Sequence, residues 1–137
     1  MKPNLRTVGC FIEYNGKFII LLRHPDKSHG NMWGLPAGKV EKGETDLDAI
    51  SRETYEETGI RVAISDFELI GVYEFSFSDI NLTFPTYRVT LNEHSEIKLS
   101  PKEHQDYRWV TGDECFNIPN LIEGLHDLLK ITGYVKA

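Results

Sequence analysis

The stretch from Thr7 to Arg23 does most to limit the folds open to this chain. TVGCFIEY (Thr7–Tyr14) and KFIILLR (Lys17–Arg23) are two runs of strand formers separated only by Asn15 and Gly16. Asn-Gly between apolar runs supplies the two positive-φ positions of a tight hairpin turn. The second run is apolar from Phe18 to Leu22 without alternation, so both of its faces have to be covered. A strand of that kind belongs inside a sheet with further layers on both sides.

The remaining segments supply those layers. Trp33–Gly38 (WGLPAG) reads as a short extended stretch punctuated by Gly and Pro. Thr45 with Asp48 three residues on predicts a helix start with a capping-box arrangement. The helix is expected from Asp46 to Thr58, with Gly59 as its C-terminal glycine. Phe67–Phe77 and Leu82–Leu91 read as a second strand pair, in which Pro85 predicts an edge or a bulge. A short strand follows at Tyr107–Val110. Pro119 is expected to open a last helix, carrying Leu121, Ile122, Leu125, Leu128 and Leu129 at helical spacing. Strands interleaved with helices predict an α/β domain with a mixed sheet and helices on its faces.

Composition removes several classes of function. Fifteen Lys and Arg stand against 21 Asp and Glu, a net charge of −6. Such a chain is ill suited to gripping a nucleic acid polymer or an anionic membrane, which both call for a basic surface. A phosphorylated small molecule is still open to it where metal cations bridge the like charges. Cys10 and Cys115 are too few and too far apart for a disulfide framework or a zinc site. The opening residues carry no apolar stretch with a small-residue cleavage site, and Phe18–Leu22 falls far short of the ~20 residues that span a bilayer. A cytoplasmic protein with reduced thiols is the expectation.

The chemistry is concentrated in residues 38–60, GKVEKGETDLDAISRETYEETGI. On a helical wheel with Glu53 as origin, Glu57 falls at about +40° and Glu56 at about −60°, one acidic arc about 100° wide. Thr54, Ile50 and Leu47 fall together on the opposite flank and mark the buried side. Ala49 falls among the acids, as a small residue over which a substrate approaches. Within the expected helix neither Glu53 nor Glu57 has a Lys or Arg four residues away, and the acids crowd its C-terminal end, where the helix dipole opposes them. Bound divalent cations reverse both penalties, and hard oxygen ligands without Cys or clustered His suit Mg²⁺ or Mn²⁺.

This segment resembles the Nudix box, G, five residues, E, seven residues, R-E-U-x-E-E-x-G-U, where U is bulky and apolar. Gly38, Glu44, Arg52, Glu53, Glu56, Glu57, Gly59 and Ile60 fit, and Thr54 is the one departure. At usages of roughly 6–7% each, the seven fixed residue types coincide by chance on the order of 10⁻⁸ per start position. The WGLP approach and the later EHQDYRW stretch are similar to the family's layout as well. The resemblance implies one Nudix hydrolase domain over residues 1–137, of MutT type, folded as an α/β/α sandwich with a mixed sheet.

It also implies roles. Glu53, Glu56 and Glu57 match the family's metal-binding acids. The carbonyl just before the box, here that of Ala37, is a further metal ligand, and Arg52 orients the glutamates, with Glu44 in support. Gly38 and Gly59 are expected to serve a tight turn and a helix end. The general base is Glu53 or a loop glutamate, for which Glu103 is the candidate, while His104 is expected to be a structural or solvent-facing histidine. Arg23 and Lys39 are candidates for binding substrate phosphates. Trp33, Tyr73, Phe75 and Phe77 are aromatics able to stack a base, though a core role is expected for each.

The implied activity is metal-dependent hydrolysis of a nucleoside diphosphate linked to another group. The leading form is a nucleoside triphosphate pyrophosphohydrolase that releases a nucleoside monophosphate and pyrophosphate. A dinucleoside polyphosphate hydrolase and a non-catalytic nucleotide sensor are the alternatives.

Overall fold

The computed structural model describes residues 1–136. Its first two strands, β1 (Asn4–Tyr14) and β2 (Lys17–Arg23), form the expected hairpin, with Asn15 at φ 54° and Gly16 at φ 78° in the turn. Two short strands follow, β3 (Trp33–Gly34) and β4 (Ala37–Lys39), and then helix α1 (Asp46–Thr58). The chain continues through a 3₁₀ turn at Ile64–Asp66 into β5 (Glu68–Ser76), β6 (Asn81–Thr90) and β7 (His104–Val110). It closes with α2 (Gly112–Phe116) and α3 (Leu125–Ile131).

The strands form one seven-stranded mixed sheet in the order β3-β2-β1-β6-β5, with β4 also paired to β1 and β7 to β2. Only the β1–β6 pair is parallel. Strand β2 sends its side chains to two separate cores. Phe18 and Ile20 join a cluster with Leu125, Leu128 and Leu129 of α3, while Ile19 and Leu21 join one with Ala49 and Ile50 of α1. That is the α/β/α sandwich, and it explains why β2 shows no alternation.

Helix α1 has the expected bounds. Thr45 and Asp48 form a reciprocal capping box, and Gly59 ends the helix at φ 77°. Two other expectations need correction. Pro85 lies in β6, which is an interior strand; the β1–β6 ladder is broken opposite it, at Thr7 and Val8, and the irregularity in the β5–β6 pair falls at Leu69/Gly71. A proline in the middle of a sheet forfeits a ladder bond, and this strand accepts that loss locally. The last helix begins at Leu125, not Pro119, because the Ile122 amide donates to the Trp33 carbonyl (2.8 Å) and Gly124 adopts φ 93°. Leu121 and Ile122 therefore cover the sheet from an extended segment. The short helix α2 has no helical periodicity of its own; a second capping box, Thr111 with Glu114, holds its start.

Candidate active site

Strand β4 packs against helix α1, and Arg23 at the end of β2 faces the same cleft as Ala37, Gly38 and Lys39 of β4. Strand β4 pairs with β1 through Thr7↔Lys39, Val8↔Gly38 and Gly9↔Ala37, which fixes the box glycine against the acidic arc of α1. A Cβ at Gly38 would collide with the Glu53 carboxylate. The backbone there lies outside the left-handed region, so Gly38 serves close approach, not the tight turn expected of it.

Arg52 organises the carboxylates. Its Nε and Nη2 donate to Glu44 at 2.8 and 2.9 Å, a two-pronged clamp. Its Nη2 also donates to the Lys39 carbonyl at 3.1 Å, and its Nη1 reaches Glu53 at 2.5 Å and Glu56 at 3.4 Å. The hydrogen bonds from Arg52 hold the Glu44 carboxyl down at about 2. So the acids do have a basic partner: Arg52 stands four residues before Glu56 and directly beside Glu53, and spacing at four residues detects only the first of these contacts.

Glu57 differs from the other two. It is 5% exposed, and its Oε1 accepts from the Ala37 amide at 2.8 Å. Burial, and then the charge of Glu53, push its pKa well above the ordinary carboxylate range. Burial raises Glu53 too, opposed by Arg52. Glu56 sits on the exposed flank, and Ala37 meets the acids through its amide.

The turn before β7 adds Glu103, whose charge raises both Glu53 and Glu57 and whose own side chain lies 3.8 Å from Lys27. Arg23 pairs with His104 across a register shift between β2 and β7, an irregularity of the kind that re-aims a side chain beside a site. The Arg23 Nε donates to the Ser28 carbonyl at 2.7 Å. Ala49 requires correction. It is fully buried in the α1-side core, where its small size lets the helix sit close to the sheet, and no substrate can approach over it.

A cleft of about 310 Å³ begins at these residues. Arg23, Ala37, Gly38 and Lys39 line it, as do Phe75 and Phe77. Those two rings stack 5.9 Å apart. Trp33 is a core residue with Arg108 over its ring, and Tyr73 and Phe75 both pack against the same core, with Phe75 also lining the cleft.

A family profile described as NUDIX domain matches residues 3–130. The chain belongs to the Nudix family. Its curated relatives include the CTP pyrophosphohydrolase of Escherichia coli K12, 28% identical over 84% of this chain and 82% of that protein. Phosphatase NudJ of the same strain is 29% identical over 88% of this chain and 76% of its own length. Among solved structures, a MutT protein from Methanosarcina mazei Go1 superposes with a TM-score of 0.85 at 25% identity, covering 96% of this chain and 94% of that one. A MutT Nudix hydrolase from Burkholderia pseudomallei shares the fold at a TM-score of 0.78 and 22% identity, over 98% and 99% of the two chains.

Nudix membership brings with it hydrolysis of a nucleotide-linked phosphoanhydride, and the superfamily typically employs a divalent metal. Among the described residues no three His, Cys, Asp or Glu side chains are gathered as a metal site. Arg52 draws oxygens of Glu53 and Glu56 to itself. The donor chemistry nevertheless fits a hard cation: the donors are carboxylate oxygens, and a cation offsets both the burial and the Glu53 charge that raise Glu57. No helix is long and apolar enough to cross a membrane among the described residues.

Thr54, the departure from the box pattern, faces away from the acids. It is fully buried, and its Oγ1 has no hydrogen-bond partner. Thr54→Val keeps the shape and removes that unpaired oxygen, so unfolding free energy should rise by about 1 kcal/mol with kcat unchanged. Denaturant titration beside steady-state kinetics checks this; a large fall in kcat at unchanged stability would return Thr54 to the site.

Proposed function

We propose that residues 1–137 form one Nudix domain acting as a MutT-type nucleoside triphosphate pyrophosphohydrolase with Mg²⁺ or Mn²⁺. Water attacks the phosphorus of the first phosphate, the bond from that phosphorus to the bridging oxygen breaks, and the bridging oxygen leaves with pyrophosphate, so the products are a nucleoside monophosphate and pyrophosphate. The carrying observation is the cleft, which Gly38 and Ala37 join to Glu53 and Glu57 and which has the size and aromatic lining for one nucleoside. The likeness to a CTP pyrophosphohydrolase supports the same reading. The small nucleotide is the only partner assigned; the net charge of −6 argues against a nucleic acid polymer. Two free, buried cysteines suit a reducing cytoplasm, with no role at a membrane.

Glu53, Glu56 and Glu57 would hold the metal, with the Ala37 carbonyl as a further ligand. The bound ion supplies neutralisation of phosphate charge and Lewis-acid activation. Arg52 keeps the glutamates in register through its clamp on Glu44. Arg23 and Lys39 bind phosphate oxygens from the mouth of the cleft and steady the departing pyrophosphate. Glu103 takes the proton from the attacking water, a reading supported by the action of its charge on Glu53 and Glu57. Glu103→Gln should then lower kcat on the order of 10²–10⁴-fold with KM nearly unchanged. Unchanged kinetics would assign the base to Glu53.

A substrate panel with Mg²⁺, covering NTPs, dNTPs and diadenosine tetraphosphate, tests the assignment by resolving products chromatographically. Monophosphate and pyrophosphate without free phosphate is the expected pattern. If kcat/KM for the dinucleotide exceeded that for every triphosphate by more than roughly tenfold, about 1.4 kcal/mol, the chain would be a dinucleoside polyphosphate hydrolase. Nucleotide binding without turnover would make it a sensor.

A further inference from the structure

His104 opens β7 and is 4% exposed. Its Nδ1 is buried and has no hydrogen-bond partner; the only other such side-chain atom among the described residues is Thr54 Oγ1. Buried polar atoms are ordinarily paired, so an unpaired one points to a partner engaged only in a working state. Glu57 Oε2 lies 3.9 Å from Nδ1, beyond hydrogen-bond reach. Glu57 is nearly as buried as His104, and its other oxygen is pinned by the Ala37 amide. The carboxylate is thus fixed at one oxygen, while the second faces an imidazole nitrogen that binds nothing else. A movement of about 1 Å closes the pair.

A neutral imidazole has one N–H, and the tautomer is set by the acceptor available. Glu57 is that acceptor on the Nδ1 side. A proton-transfer role for His104 is not required by this geometry, since the ring acts through the carboxylate.

We propose that His104 is a positioning residue for Glu57: its Nδ1–H orients Glu57 Oε2 for a divalent ion. The assignment rests on the reading that Glu57 holds that ion. Outer groups of this kind typically alter metal affinity 10–100-fold when removed.

The test is a titration of the intact chain with Mn²⁺, following the free ion by electron paramagnetic resonance, with melting curves for every variant. His104→Asn puts an amide N–H near the Nδ1 position, and His104→Gln puts one near Nε2. His104→Leu supplies neither. Leu and Gln should weaken Mn²⁺ binding about 10–100-fold, and Asn should stay within about threefold of wild type. In a Glu57→Gln background, His104→Leu should cause no additional loss. Wild-type affinity in His104→Leu would overturn the proposal. So would the same fold-loss with and without Glu57, or equal losses in Asn and Gln, a contrast that holds even if the Leu variant does not fold. Failure of the wild-type chain to bind Mn²⁺ would instead overturn the metal reading, and the role of His104 with it.

Discussion

Glu57→Gln is expected to lower kcat on the order of 10²–10³-fold, the scale of losing one transition-state stabiliser. The same substitution should raise the melting temperature of the metal-free protein. The two effects have one origin. Glu57 is a carboxyl held between the Ala37 amide, the Glu53 charge and the core, and burial pushes its pKa well above the ordinary 4.5. A carboxyl raised in the folded state binds its proton more tightly there than in the unfolded chain. Its stabilising share is fully present below about pH 4.5 and is lost as pH rises through the raised value. Gln keeps a carbonyl oxygen for the Ala37 amide and cannot ionise. The variant should therefore melt higher than wild type by a few degrees at pH 8, with the gap closing toward pH 5. Excess EDTA should abolish wild-type turnover, and added Mg²⁺ should raise the melting temperature of wild type more than that of the variant. Calorimetry at the two pH values with single-turnover kinetics makes the comparison. Full activity in EDTA would remove Glu57 from the metal, and a Gln variant that melts lower at pH 8 would show that the buried carboxylate does not destabilise the metal-free fold.

The parts of this structure that were legible in the sequence are those fixed by neighbours in the chain. The Asn15–Gly16 turn, the doubly buried β2, the Thr45 cap and the Gly59 stop all rest on contacts within a few residues, and each lies where expected. The arc of Glu53, Glu56 and Glu57 is likewise a property of one helix. What escaped reading was set by long-range contact. Leu121 and Ile122 have helical spacing with Leu125, yet Trp33 captures that segment through a backbone hydrogen bond 89 residues away in the chain (Trp33 carbonyl, Ile122 amide). Ala49 fits the acid face on a wheel, but the sheet beneath α1 claims it. His104 carries no signal as a lone histidine at the start of a strand. Its interest arises only where β7 brings it to Glu57, 47 residues earlier in the chain.

Gly38 is the position where such a long-range contact should have the largest kinetic consequence. Gly38→Ala changes no charge and no hydrogen-bonding group, and the backbone conformation there accepts Ala. The added methyl nevertheless occupies the space of the Glu53 carboxylate. Glu53 is flexible enough to swing aside, so the fold should tolerate the change, with melting within about 3 °C of wild type. Arg52 does not follow, because Glu44 grips it at 2.8 and 2.9 Å and the Lys39 carbonyl at 3.1 Å. Glu53 is then displaced from its partner by on the order of 1 Å, a misplacement that can reduce kcat/KM about 10²-fold. Wild-type kcat/KM in this variant would show that the carboxylate works from more than one position. A double-mutant cycle with Glu53→Gln identifies the route of the effect. If Gly38 acts through the Glu53 carboxylate, the double variant should be scarcely worse than Glu53→Gln alone, since residues in contact are not additive. Multiplying losses would mean that the methyl disturbs some other group lining the cleft, with Ala37 the first to examine, because its amide anchors Glu57 from the adjacent position in β4.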